Sequence, residues 1–186
     1  MNKASTDRLG FGFESPNHGD KDEWLTPRYI LDALGTFDLD PCAPIKRVWD
    51  MAKRHYSTIE DGLKQEWAGR VWLNPPYGQF TKLWIERMIQ HGDGIALIFA
   101  RTETATFDLI FKHASAYLFL SRRIQFHHVD GSKGKCATAP SVLVAFDKGL
   151  ERNAQALREC GLKGAYFGKA LVLSNAYKQE QIRLIA

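Results

Sequence analysis

Cysteine is scarce in this chain. Cys42, Cys136 and Cys160 are odd in number and widely spaced, which excludes a disulfide framework and a paired zinc knuckle. Long apolar runs are also missing. The run Ile95–Ala100 is a strand's length, far short of the roughly 20 residues that cross a bilayer. The opening Met1-Asn2-Lys3-Ala4 carries no apolar core of a secretory signal. No internal repeat, low-complexity tract, phosphate-cradling glycine loop or Ser-His-Asp arrangement is evident. His127, His128, Asp130 and Cys136 match no common metal-ligand spacing, so no metal is expected. These absences predict a cytoplasmic protein with reduced thiols, no membrane segment and no structural staple. A composition that is 45% hydrophobic and 25% charged over 186 residues suits one soluble domain with its own core.

Charge is distributed unevenly. Residues 1–40 hold eight acids against four bases, so the rest of the +4 chain is +8. A basic body suits a polyanion such as nucleic acid. Arg122, Arg123, Lys133 and Lys135, with His127 and His128, surround a glycine-bearing loop that either tracks a DNA backbone or is simply solvated.

The periodicity predicts alternating strands and helices. Residues 1–22 read as a polar arm. Pro27 opens a helix capped by Thr26, with Ile30, Leu31 and Leu34 on one face and Gly35 at its end. Strands are expected at 37–40, 71–73, 94–100, 116–120 and 141–146. Further helices are expected at 44–54, 81–90, 104–114 and 150–160. The unbroken apolar run at 94–100 indicates a strand covered on both faces. The fold class is therefore α/β, a central mostly parallel sheet with helices on both faces. Ligands in such sheets bind beyond the carboxyl ends of the strands.

The sharpest motif is Asn74-Pro75-Pro76-Tyr77-Gly78, directly after the strand Val71-Trp72-Leu73. It places a side-chain amide, a proline carbonyl and an aromatic ring at one strand end. Together they can hold a planar aromatic amine, with two acceptors for its N–H groups and a ring against its plane. Upstream, Leu39-Asp40-Pro41-Cys42-Ala43 closes an earlier strand with a tight turn. Trp24-Leu25-Thr26-Pro27 precedes that strand, and Asp61-Gly62 lies between the two motifs.

This series, Thr-Pro then Asp-Pro-Cys then Asn-Pro-Pro-Tyr, resembles the phage-type DNA N6-adenine methyltransferases, the Dam family of phages and prophages. The likeness covers roughly residues 20–147, through Arg101-Thr102, Arg123-Ile124-Gln125-Phe126 and Ala139-Pro140-Ser141. It implies a Rossmann-like class I fold and methyl transfer from S-adenosylmethionine to N6 of a flipped-out adenine in DNA. It also implies residence in a bacterial or phage-infected cell. Asn74, Pro75, Pro76 and Tyr77 would be the catalytic residues. Trp24, Thr26, Pro27, Asp40, Pro41, Cys42 and Asp61 would bind the cofactor; Thr26-Pro27 is equally an ordinary helix cap, and Asp61 a solvated turn. Pro44-Ile45 stand where the glycine-rich version of the loop has a glycine. Arg101 either contacts DNA or pairs with Glu103. Rival readings are an RNA or protein-glutamine amino-methyltransferase, or an idle DNA-binding module of the same fold. The domain plan is an arm (1–22), a catalytic domain (23–149) and an extension (150–186) packed on it. With so little chain left over for base readout, a short or relaxed recognition site and a monomer or weak dimer are expected.

Overall fold

The computed structural model describes residues 23–168. The arm at 1–22 and the last part of the extension, 169–186, lie outside the described residues. Helix α1 (Arg28–Leu34) buries Ile30, Leu31 and Leu34 and ends at Gly35, whose N–H makes the last helical bond to the Leu31 carbonyl and whose positive φ then turns the chain out of the helix. Strand β1 (Leu39–Asp40) then pairs in parallel with β2 (Arg54–His55) and β3 (Val71–Leu73). Helix α2 (Thr81–His91) leads to β4 (Asp93–Phe99), which is parallel to β3. Helix α3 (Ala105–His113) leads to β5 (Ala116–Leu120). A hairpin of β6 (Gln125–His127) and β7 (Lys133–Cys136) precedes β8 (Ser141–Asp147), α4 (Arg152–Glu159) and β9 (Gly164–Phe167).

The main sheet has the order β2-β1-β3-β4-β8-β5-β9. β2, β1, β3, β4 and β5 share one direction; β8 and β9 oppose it. One face packs Trp72, Leu97 and Leu143 against α1 and α4. The other packs Val71, Ile98 and Val144 against α2 and α3. Alternate residues of β4 thus serve opposite cores, which is why its sequence is an uninterrupted apolar run. No helix among the described residues is long and apolar enough to cross a membrane.

Three expectations are corrected. Residues 44–54 are not a helix. Ile45 and Val48, which would share a helix face, are exposed. The segment is instead held by Arg47 donating to Asp50 and the Pro44 carbonyl, and by the Trp49 indole donating to the Thr26 carbonyl. Tertiary contacts here override helix propensity. Second, Thr26 does not cap α1: Pro27 occupies the cap position and no side-chain cap bond forms. Third, residues 125–136, read as a loop, form a hairpin whose edge is continued by Leu25, bonded both ways to His127 (2.8 and 3.1 Å). Lys133 and Lys135 disguise it, because a strand exposed on one face need not look apolar.

Candidate active site

The chain leaves β1 toward β2 and returns on the other side of β1 as β3, so the loops after β1 and β3 diverge at the carboxyl edge of the sheet. Such a switch point is where open α/β sheets bind ligands. The Cys42 thiol donates to the Asn74 carbonyl at 3.3 Å, which joins the two loops. A cleft of about 1810 Å³ opens over them. That exceeds the roughly 300–1,000 Å³ of a single small-molecule pocket, enough for two reactants side by side.

Asp40 ends β1 and is only 2% exposed. Its Oδ1 accepts from the Cys42 N–H at 3.0 Å. Burial pushes the carboxyl up to about 7, against the opposing pull of that hydrogen bond. Burial, and then the charge of Asp40, pushes the Cys42 thiol up as well. The native chain therefore binds a proton at Asp40 between about pH 4 and 7 that the unfolded chain has released, so stability falls as pH rises through that window. Asp40→Asn removes the titration. Urea melts at pH 5 and pH 8 are expected to show the wild type losing on the order of 2–4 kcal/mol more than the variant between the two pH values.

The loop after β2 approaches this turn closely. A Cβ placed on Gly62 would lie 1.8 Å from the Pro41 carbonyl oxygen, a contact with backbone that no rotamer relieves. Gly62 also offers its carbonyl to the Trp67 indole N–H at 2.8 Å. Gly62→Ala is expected to push the Pro41–Cys42 turn aside and to destabilise the fold by about 2–4 kcal/mol, read as a fall in Tm. Beside it, Asp61 is held in the left-handed region (φ 55°) and pairs with Lys64 at 2.8 Å, which keeps its carboxylate below the usual range.

At the end of β3, the Tyr77 hydroxyl donates to Asn74 Oδ1 at 3.2 Å. Asn74 Nδ2 points to the Thr26 hydroxyl at 3.5 Å. The Tyr77 ring lies on Phe99, with centroids 4.0 Å apart and planes within 8°. The ring is thus backed on one side while the residue stays 38% exposed. Thr81, in the first turn of α2, accepts from the Gly78 N–H at 3.0 Å and donates to the Pro76 carbonyl at 2.9 Å, fixing the turn. The far wall of the cleft comes from the hairpin side, with Trp24, His128, Lys135 and Cys136. Trp24 stacks obliquely on His128 at 4.7 Å and covers Gly134.

The sequence profile of the DNA N-6-adenine-methyltransferase (Dam) family matches residues 15–160. The chain belongs to the Dam family. No curated protein and no solved structure matches it.

In this Dam-family chain, the cleft wall includes Trp24, Pro41, Cys42, Asp61, Asn74, Pro75, Pro76, Tyr77, Arg101 and Lys135 of the residues expected from sequence. Thr26, Pro27 and Asp40 are buried outside that wall. Arg122, Arg123 and Lys133 are exposed but do not line the cleft. Arg101 reaches Glu103 at 4.0 Å, and both side chains are exposed, so the pair is weak. Two residues that sequence reasoning passed over are Phe99 and Thr81. Phe99 was legible only as one residue of the apolar run 94–100. Thr81 carried the ordinary signal of a helix start. Among the described residues, no three His, Cys, Asp or Glu side chains gather as a metal site.

Proposed function

We propose that this chain methylates N6 of adenine in DNA, using S-adenosylmethionine on a Rossmann-like class I scaffold. The observation that carries the reading is the junction of the Asp40–Cys42 turn with Asn74 at one switch-point cleft. The residues there fit the cofactor. Asp40 is a buried carboxyl on which the pull of Arg47 does not offset burial, suited to a ligand that brings ammonium and sulfonium charge. Gly62 packs against the Pro41 backbone beside it, and both residues line the cleft. Pro41, Cys42, Trp24 and Asp61 would hold the cofactor from the cleft wall, with Asp40 behind. When bound, S-adenosylmethionine supplies an electrophilic methyl group.

The remaining work falls to the residues after β3. An adenine inside a duplex is out of reach, so the target base must be extruded into the cleft. Asn74 Oδ1 accepts one bond from Tyr77 and keeps a lone pair for an N6 hydrogen. The Pro75 carbonyl is the second acceptor. Both draw the amine lone pair out of the ring and stabilise the positive charge that grows on nitrogen. The free face of Tyr77 stacks on the base, a contact worth about 1–3 kcal/mol. Phe99 behind the ring lowers the entropy lost on stacking. Arg101 and Lys135 at the cleft, and Arg122, Arg123 and Lys133 beyond it, supply phosphate contacts, which position DNA without reading its sequence.

The deciding experiment incubates the protein with methyl-labelled S-adenosylmethionine and DNA, digests to nucleosides, and separates them. Label in N6-methyladenosine of the DNA type is expected. Label in RNA or protein instead, or none at all, overturns the proposal.

A further inference from the structure

Thr26 is 1% exposed and forms no part of the cleft wall. It is fixed from both sides. Leu25 before it is bonded to His127 in both directions, and the Thr26 carbonyl accepts from the Trp49 indole at 3.0 Å. Pro27 after it begins α1, its carbonyl accepting from the Ile30 N–H. The hydroxyl lies 3.5 Å from Asn74 Nδ2, at the outer limit of a hydrogen bond that it would accept.

That contact bears on chemistry because an asparagine amide has two ends of nearly equal size and opposite character. An amine substrate needs the oxygen end. Turned about, Asn74 would present a donor to a donor. Its backbone carbonyl is already held by the Cys42 thiol and its Oδ1 by the Tyr77 hydroxyl. Neither of these occupies Nδ2. We infer that Thr26 is a positioning residue for Asn74: its buried hydroxyl takes the amide nitrogen and so leaves the amide oxygen toward Tyr77 and the substrate amine. The inference rests on the adenine-methylation reading above and moves Thr26 from a cofactor role to one that acts through Asn74.

The test compares wild type, Thr26→Val and Thr26→Ser in full-length protein, measuring N6-methyladenine formation and, by calorimetry, S-adenosylmethionine affinity. Thr26→Val keeps the shape and loses the acceptor, so kcat is expected to fall about tenfold, as for one lost hydrogen bond, with cofactor Kd unchanged. Thr26→Ser restores the hydroxyl and is expected to recover kcat to within about threefold. Weakened cofactor binding with kcat retained makes Thr26 a cofactor ligand and overturns the inference. So does a Thr26→Val enzyme with wild-type kcat and Kd. If wild type itself makes no N6-methyladenine, the functional proposal has failed first, and the outcome is distinct from either. Should Thr26→Val not fold, nitrogen-15 NMR of the wild type decides. The Asn74 side-chain amide, assigned by its loss in Asn74→Asp, is expected to be protected from exchange; exchange as fast as an exposed asparagine overturns the inference.

Discussion

Asn74→Ala is expected to slow methyl transfer to DNA by about 10²–10³-fold, the effect of removing one preorganised group from the place where charge develops. Cofactor affinity should stay within about twofold, because the Asp40–Cys42 turn does not rely on the Asn74 side chain: Cys42 bonds to its backbone carbonyl, which alanine keeps. The split matters more than the size. A loss shared equally between turnover and cofactor Kd would mean that Asn74 supports the whole cleft and is no specific acceptor. Single-turnover rates on DNA and calorimetry with S-adenosylmethionine on the same preparation separate the two. Tyr77 donates to the lost oxygen, so Asn74→Ala also frees its hydroxyl, and part of the penalty belongs to that loosened ring.

The second large effect lies at the opposite end of the sheet. Arg70 immediately precedes β3 and is buried, stacked over Phe37 at 4.3 Å. Its Nε donates to Asn153 Oδ1 at 2.7 Å, and its Nη1 to the carbonyls of Leu34 and Thr36. Asn153, fully buried in α4, shares the two N–H groups of its Nδ2 among Asp93, Asp147 and the Phe146 carbonyl. One side chain therefore joins α4, β4, β8 and the residue that leads into β3. Asn153→Ala takes the acceptor from the buried Arg70 Nε and opens a gap between α4 and the sheet, while Asp93 keeps Arg152 and Asp147 keeps the N–H groups of residues 153 and 154; it is expected to cost about 2–4 kcal/mol. For a chain of this length that is a fall in Tm on the order of 10 °C. Cofactor affinity, measured on the folded fraction at low temperature, should be unchanged, since the network lies at the edge away from the cleft. Differential scanning calorimetry beside cofactor titration checks both halves of the expectation.

These two sites differ in how far the sequence revealed them. Asn74-Pro75-Pro76-Tyr77 was legible because its residue types are individually constraining: two prolines stop a strand, and an amide and a ring together have few structural uses. β4 was legible from its unbroken apolar run and α2 from its helical period, although Leu83, expected inward with Trp84 and Met88, is exposed. Asn153 was not, although the helix that carries it was expected, because a polar residue on a helix is ordinarily solvated and its partners lie 60 and 83 positions away at Asp93 and Arg70. Thr26 misled for a related reason. Thr-Pro is a good local signal for a cap, and only the fold places Asn74 near that hydroxyl. The segment at 44–54 failed because Arg47 ties it into a local turn and Glu23 and Thr26, more than 20 residues away, pin Ile45 and Trp49. Local propensity decided elements that could bury a face by themselves and was overruled where a loop was pinned from elsewhere.

The position of β8 has a consequence for synthesis. It is the second-last strand of the sheet in chain order, yet it lies between β4 and β5 and pairs with both. A nascent chain that has emerged only as far as Pro140 already holds both loops of the cleft, but its sheet is split into two halves. Each half then offers an open, apolar edge, β4 with Ile95 to Ile98 and β5 with Ala116 to Leu118. Exposed edges of that kind recruit strands from other chains. Arrival of Val142 to Phe146 closes both at once, so assembly of the half that carries the cleft loops is tied to translation of a segment outside the cleft wall.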